Sequence, residues 1–319
     1  MADQANQIGI KTWRLPDAHE QIRLDAFVRQ CLPHLSRRQI ENAIRERLFS
    51  RGGKGLKKGD RLAPGDELVF CGSERLLAAK PLPNAEIEVP IVYEDSAILI
   101  VNKPAGMPTH GFSGRDHATL ANFLLGRYPE IASVGKKRWE PGLIHRLDTE
   151  TSGLLVVAKT QRGFAALQAQ FRGRRVKKIY WALVRGLAPA EGVVEFPLAH
   201  DRRDKRRMRI ASRETGERSW KALTRYRRIG QSRRASLLEI DMETGVMHQI
   251  RVHLAAIGYP IIGDSLYGDG KMENFGLERQ FLHARSLTLQ HPDSGRWLTA
   301  EVELPDELAG LLNRLSLRR

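Results

Sequence analysis

The chain is poor in cysteine and has no long apolar segment. Its two cysteines, Cys31 and Cys71, are too few for a disulfide framework, and no Cys/His spacing is typical of a zinc site. We therefore expect a reducing, cytoplasmic compartment. The longest apolar runs have the length of a strand, whereas a membrane-spanning helix needs ~20 residues. The first residues also lack the pattern of a signal peptide, so we expect no membrane partner.

Acidic and aromatic residues are in short supply as well. The chain has 52 Lys and Arg against 37 Asp and Glu, which gives a formal net charge of +15. This excess favours nucleic acid as a partner, because basic side chains that neutralise phosphates release counterions. Aromatic residues make up only 7% of the chain. A protein that grips folded RNA is therefore favoured over one that stacks single-stranded bases.

Three basic runs follow one another in the second half of the chain, at 172–178, 202–209 and 225–234. Any one of them could be solvated surface. Together with the basic first part of the chain, they favour RNA binding. The side chains that we select as RNA-binding candidates are Arg37, Arg38, Lys54, Arg174, Arg175, Lys177, Arg206 and Arg207.

Apolar periodicity divides the chain into a small and a large unit. Residues 22–71 contain two short amphipathic helices and a basic, glycine-rich hairpin, and we interpret residues 1–21 as an N-terminal extension. Residues 72–88 contain prolines and little periodicity, which predicts a linker. Strands with interspersed helices fill residues 89–319. This pattern predicts an α+β fold with a large mixed, mainly antiparallel sheet flanked by helices.

The segment LIHRLDTETSGLL (Leu143–Leu155) places charged residues between two apolar runs. One interpretation is a capped turn, with Asp148 as the cap and Gly153 at a special φ. The other is a catalytic carboxylate beside a cation. Tyr180 at the mouth of a predicted strand and Arg251 on a predicted helix favour the second, because all three could converge in one pocket. Taken singly, Tyr180 could be a half-buried strand residue and Arg251 a surface cation.

Five ordered segments resemble the RluA-type family of RNA pseudouridine synthases. HRLDTETSG is similar to the family's central motif, which has His-Arg-Leu-Asp, two variable residues and Thr-Ser-Gly. The other four similar segments lie at 93–106, 177–186, 244–268 and 279–292. Residues 22–71 resemble the α-L RNA-binding module that often precedes this catalytic domain. The chain departs from the family pattern at MPTHGF after KPAG and at SRGGKG in the module, which leaves the RNA substrate open rather than the reaction.

The resemblance implies that the protein isomerises specific uridines in structured RNA to pseudouridine, without a cofactor or a metal. It implies Asp148 as the catalytic carboxylate, Arg251 as the cation beside it and Tyr180 against the uracil face. Arg146 is implied to enter the gap that the flipped base leaves. We expect a monomer acting on large-subunit ribosomal RNA, with transfer RNA as a second possibility. Whether the carboxylate attacks the ribose or the base, or supports a glycal intermediate, stays open.

Two other functions fit the same sequence. A non-catalytic RNA-binding or ribosome-assembly factor would be favoured if Asp148, Tyr180 or Arg251 were replaced, but all three are present. An N-glycosidase would release free uracil. Glycoside hydrolases generally use two carboxylates, and the nearby Glu150 is one of the two variable residues of the motif.

Overall fold

The computed structural model describes residues 8–33, 35, 37–73, 81–111, 117–137, 139–204, 206–212, 216–268 and 274–317. These residues form one hydrophobic core between Leu15 and Phe70 and a larger one from Val89 onward. A third, small cluster joins Leu198 and Met208 to Ala222 and Val252. The described residues therefore contain two large, separate cores, and the division into units at 22–71 and 89–319 stays a prediction.

The first unit combines short strands with two helices. Its elements are β1 (Ile8–Arg14), β2 (Ile22–Arg23), α1 (Leu24–Cys31), α2 (Arg37–Arg45), β3 (Phe49–Arg51), β4 (Lys54–Gly55), β5 (Arg61–Leu62) and β6 (Glu67–Ser73). Both helices bury the apolar face that their spacing predicts, with Phe27 and Val28 on α1 and Ile40 and Ile44 on α2. The hairpin β3–β4 turns at Gly52, where φ is 55° and glycine adopts the left-handed conformation without strain.

The first unit begins before the predicted boundary. Strand β1 pairs antiparallel with β6 from Ile8 opposite Ser73 to Arg14 opposite Glu67, and Leu15 is fully buried in the same core. Residues 8–15 therefore pair and pack with the first unit, although the sequence interpretation places residues 1–21 in an extension. The apolar residues of this strand do not mark a buried face, because Ile10 is 71% exposed. The sequence pattern therefore does not indicate that the strand belongs to a core.

The second unit is a mixed sheet flanked by helices, as predicted. Its elements are β7 (Ile91–Glu94), β8 (Ile98–Lys103), α3 (Leu120–Arg127), a 3-10 helix (Pro129–Ser133), β9 (Ser152–Ala158), α4 (Gln161–Arg172), β10 (Lys177–Arg185), β11 (Glu191–Val194), β12 (Leu198–His200), β13 (Met208–Ile210), β14 (Thr224–Gln231), β15 (Ala235–Met242), α5 (Gln249–Ala256), β16 (Leu282–Gln290), β17 (Trp297–Glu301) and α6 (Asp306–Arg314). Within the described ranges, no helix combines the length and the apolar character needed to cross a membrane.

The large sheet has the strand order β11-β14-β15-β10-β16-β9-β8-β7, and β17 pairs with β16. Strands β9 and β16 run parallel to each other at Ser152–His283 and Gly153–Ala284, while the other recorded neighbours are antiparallel. Gly153 has φ 115°, and a Cβ there would clash with the carbonyl oxygen of Ala284. The motif's glycine is therefore needed for backbone packing, directly after the loop that carries Asp148.

The predicted linker is only partly separate from the sheet unit. The backbone N–H of Asn84 donates to the carbonyl oxygen of Asn122 at 3.0 Å. The side-chain amide of Asn122 donates to the carbonyl oxygen of Leu82 at 2.7 Å. Residues 74–80 lie outside the described part of the chain. The stretch that follows them is thus attached to the second unit through α3.

Candidate active site

The loop between Leu143 and β9 is fixed from two sides. The Thr109 hydroxyl donates to the carbonyl oxygen of Leu147 at 2.9 Å and accepts from its N–H at 3.2 Å. The Lys103 ammonium, which is fully buried, donates to the carbonyl oxygen of Thr149 at 3.1 Å. Burial lowers the pKa of Lys103 to about 7. These contacts fix the backbone on both sides of Asp148, at Leu147 and at Thr149.

Asp148 lies against Arg251, as the resemblance implies. Nη1 of Arg251 donates to Oδ2 of Asp148 at 2.9 Å. The Arg251 side chain is 5% exposed and that of Asp148 is 20% exposed. The carboxylate therefore keeps access to the pocket while its counter-charge is buried.

A second carboxylate, Asp264, holds Arg251 from the other side. Arg251 donates from Nε to Oδ2 at 2.7 Å and from Nη2 to Oδ1 at 2.8 Å. Burial lowers the pKa of Arg251, but the hydrogen bonds and charge of Asp264, together with Asp148, outweigh it and leave the pKa above the ordinary value. Burial likewise raises the pKa of Asp264, and Arg251 outweighs this and keeps it low. Both groups of this buried pair are charged.

Sequence reasoning missed Asp264. The signal was available: the carboxylate follows the buried pair Ile261 and Ile262 and a glycine, inside the segment 244–268. Its Oδ1 also accepts the backbone N–H groups of Leu266 at 2.9 Å and Tyr267 at 3.1 Å. A polar side chain that caps its own turn directly after an apolar run is typical of a fixed site residue.

Tyr180 completes the pocket. It lies on β10 between Ile240 of β15 and Ala284 of β16 and is 4% exposed. Asp148, Tyr180 and Arg251 line one small cavity of about 70 Å³. Burial raises the pKa of Tyr180, and the charge of Asp148 raises it further, so the phenol is neutral at neutral pH. The three predicted catalytic side chains therefore converge.

Two more side chains of this cluster were not predicted. His248 has φ 55°, and its Nε2 lies 3.9 Å from Oδ1 of Asp148. Its Nδ1 lies 2.8 Å from the hydroxyl of Tyr267, whose ring centroid is 5.1 Å from the guanidinium carbon of Arg251. Burial lowers the pKa of His248. A non-glycine residue in the left-handed region is unusual and is often found at functional sites.

Comparison with known proteins identifies the family of the chain that contains this cluster. The sequence profile of the family described as RNA pseudouridylate synthase matches residues 97–256. A protein named uncharacterized RNA pseudouridine synthase from Chloroflexus aurantiacus is 39% identical over 308 residues, which cover 95% of this chain and 93% of that protein. The chain belongs to the RNA pseudouridylate synthase family. The isomerase assignment made from the sequence is thereby confirmed.

Other relatives agree with this assignment. The ribosomal large subunit pseudouridine synthase D of Zymomonas mobilis is 35% identical, over 92% of this chain and 94% of its own. The solved structure of human RNA pseudouridylate synthase domain containing 4 is 29% identical, with a TM-score of 0.57, over 72% of this chain and 94% of that one. The mixed α+β architecture predicted for the second unit is that of a pseudouridine synthase. The resemblance of residues 22–71 to an α-L module stays a prediction.

The basic candidates of the synthase border its pocket from two directions. Exposed Arg146 lines both the pocket and a neighbouring cleft of about 610 Å³, which Arg174 and Lys178 also line. Arg206 lines a second cleft of about 800 Å³ that contains Asp148. Arg175 and Lys177 are exposed beside Arg174.

The remaining candidates lie farther along the surface. Exposed Arg207 stands over the ring of Tyr267, 5.4 Å from its centroid. In the first unit, Lys54 is exposed, and Arg37 is exposed and paired with Glu41 at 3.0 Å. The side chain of Arg38 lies outside the described part of the structure. Gln39 and Asn42 of α2 line the same cleft as Arg206, which brings the first unit to the edge of the active site.

Two polar clusters close to this loop have structural contacts. His145 accepts the backbone N–H of Val156 at 3.1 Å and stacks on Phe171, which makes it a support of the loop. Ser152 hydrogen bonds to the buried His283 at 2.9 Å. In the part of the chain that the structure describes, no three His, Cys, Asp or Glu side chains gather in a way that could hold a metal ion.

Proposed function

We propose that the synthase isomerises specific uridines of large-subunit ribosomal RNA to pseudouridine, with Asp148 as its catalytic carboxylate. The observation that carries this is the ion pair of Asp148 with a buried Arg251 that Asp264 holds in place. Several relatives, such as that of Zymomonas mobilis, are named as pseudouridine synthases of the large ribosomal subunit. Transfer RNA is the second candidate. Monomeric state and cytoplasmic location remain predictions.

The reaction exchanges one ribose–base bond for another. The bond from C1′ to N1 breaks, C5 joins C1′, N1 gains a proton and C5 loses one, so the mass of the RNA does not change. In this scheme Asp148 acts on the ribose or the base while Arg251 keeps it charged. In this scheme the phenol of Tyr180 packs on the uracil face, beside the C5 proton that has to leave.

Arg146 supports access to the base. A paired or stacked uridine must rotate out of the RNA before Asp148 can reach it. Arg146 is exposed and lines the pocket as well as both adjoining clefts. In the proposal its guanidinium enters the space that the rotated base leaves, and Arg174, Arg175, Lys177, Arg206 and Arg207 hold the flanking phosphates.

Tritium release from uridine C5 tests the function directly. The full-length protein is incubated with C5-tritiated ribosomal RNA or transfer RNA in separate reactions. We expect release from ribosomal RNA with no free uracil, and release below detection with Asp148→Asn. Glu150→Gln, which changes the neighbouring acid, is the matched control and should retain activity. Release of free uracil would indicate an N-glycosidase, and tight RNA binding without release a non-catalytic factor.

A further inference from the structure

The hairpin β12–β13 contacts Tyr267, a side chain beside the active site. The backbone N–H of Met208 donates to the Tyr267 hydroxyl at 2.8 Å, and the guanidinium carbon of Arg207 lies 5.4 Å from the centre of its ring. Met208 also packs with Val252, the residue that follows Arg251 on α5. The basic hairpin and the catalytic helix therefore share a packed contact.

Tyr267 reaches the catalytic carboxylate by two routes. Its ring stands over the guanidinium of Arg251, which donates to Oδ2 of Asp148. Its hydroxyl lies 2.8 Å from Nδ1 of His248, and Nε2 of His248 faces Oδ1 of the same carboxylate. Each oxygen of Asp148 thus faces a group that Tyr267 contacts.

These contacts favour one tautomer of His248. The Tyr267 oxygen accepts from Met208, and its own proton can be donated to Nδ1 of His248 when that nitrogen is unprotonated. In this arrangement the imidazole proton is on Nε2 and faces Asp148. The charged groups around this imidazole are Asp148, Arg251, Asp264 and Arg146. The distance of 3.9 Å between Nε2 and Oδ1 is about 1 Å too long for a hydrogen bond.

We propose that Tyr267 is a positioning residue that couples RNA bound at the hairpin to the orientation of Asp148. The inference rests on the proposed function. RNA phosphates held by Arg207 fix the hairpin against Tyr267, and Tyr267 fixes the ring and tautomer of His248. Nε2 of His248 then closes on Oδ1 of Asp148 while Arg251 holds Oδ2, so that the carboxylate is aligned only when RNA is bound.

A double-mutant cycle of Arg207→Ala and Tyr267→Phe tests the coupling. The phenylalanine keeps the ring over both arginines and removes the hydroxyl. At saturating RNA, each single variant should lower the rate of tritium release roughly fivefold to tenfold, the scale of one lost hydrogen bond. In the Tyr267→Phe background, Arg207→Ala should cause no further loss of rate, although it should still weaken RNA binding.

The control is Arg203→Ala in the same hairpin. The Arg203 side chain is exposed, and it is absent from the contacts of Tyr267 that the structure describes. This change should weaken RNA binding equally in both backgrounds and leave the saturated rate unchanged. Rate factors for Arg207→Ala and Tyr267→Phe that simply multiply would overturn the coupling. Absence of tritium release by the unmodified protein would instead contradict the proposed function.

A measurement on the unmodified protein covers the case in which a variant does not fold. Imidazole nitrogen chemical shifts report which ring nitrogen carries the proton, and the His248 signals are those missing from His248→Gln. We expect the tautomer with the proton on Nε2, both with and without bound RNA. A proton on Nδ1 would show that Tyr267 does not set the tautomer, and the inference would fail.

Discussion

Arg251 lies between two carboxylates, and only Asp148 faces the pocket. Asp264 is fully buried, takes two of the guanidinium donors and leaves Nη1 for Asp148. Removing one partner of a buried ion pair leaves an uncompensated charge and costs about 3–5 kcal/mol. We therefore predict that Asp264→Asn lowers the free energy of unfolding by this amount and Asp148→Asn by much less. Urea denaturation measures both, and equal losses would contradict the assignment of Asp264 as the anchor.

Lys178 shows a conflict between stability and function at a single residue. It lines the cleft with Arg146 and Tyr180, and burial lowers its pKa to about 8, although Asp241 acts in the opposite direction. Between about pH 8 and the ordinary lysine pKa of 10.5, the unfolded chain binds the proton and the folded chain largely does not. The free energy of unfolding therefore rises with pH across this window.

The prediction for Lys178→Met follows from that sign. The variant should be more stable than the unmodified protein at pH 7, by on the order of 3 kcal/mol, and the gain should shrink as the pH rises toward 10.5. RNA affinity at pH 7 should fall, because a cation of the cleft is lost. Urea denaturation at several pH values tests this, with Lys177→Met on the exposed neighbour as the control. A variant that is destabilised at pH 7 would show that the contact of the Lys178 ammonium with the Phe171 ring, 5.7 Å from its centroid, outweighs the cost of burying the charge.

The sequence predicts some members of the active site better than others. Asp148, Tyr180 and Arg251 are found because short motifs carry them, and the structure brings them together. Asp264, His248 and Tyr267 are missed because their importance comes from contacts with residues distant in sequence, such as the approach of His248 to Asp148. Local pattern describes a residue and its turn, whereas the partner of a buried side chain depends on the folded sheet.

Elements differ in the same way. Helices α1, α2 and α5 are predicted because three or four apolar residues recur on one face within a single short segment. Strand β1 is missed because its partner β6 begins more than 50 residues later and its apolar face is short. In the sequence, the hairpin β12–β13 is recognisable only as a run of arginines. Its packing on Val252 joins residues that are distant in sequence, so a local pattern does not predict it.

At the scale of the element, the hairpin should contribute measurably to the salt dependence of RNA binding. Each phosphate contact that a basic side chain makes adds to the slope of log K against log salt. We predict that Arg206→Ser with Arg207→Ser weakens RNA binding and lowers this slope. The reduction should be below the value for two full contacts, because Arg206 is already paired with Asp204 at 2.9 Å.

The matched control for the hairpin lies on β14 and the turn after it. Arg227 pairs across strands with Glu239 at 2.8 Å, and Arg233 is exposed. The double change Arg227→Ser with Arg233→Ser removes the same charge from the chain. If it reduced the slope as much as the hairpin variant, net charge rather than the position of the hairpin would explain RNA affinity.

The whole molecule joins a small basic unit to a large catalytic one, and each has its own core. Helix α2 of the small unit contributes Gln39 and Asn42 to the cleft that contains Asp148. Within its described residues, the small unit therefore borders this cleft and contributes no side chain to the cluster around Asp148 and Arg251. Its predicted contribution is affinity for RNA, through side chains such as Arg37 and Lys54, rather than chemistry.

Two cores of unequal size should unfold separately. A unit of about 60 residues buries a smaller fraction of its surface than a larger domain and is correspondingly less stable. Trp13 packs against the small core, and the other four of the five tryptophans come later in the chain. We predict two urea transitions in tryptophan fluorescence, of which Trp13→Phe removes the first. Circular dichroism of the variant should still show both, whereas one coincident transition by both probes would mean that the two units fold as one.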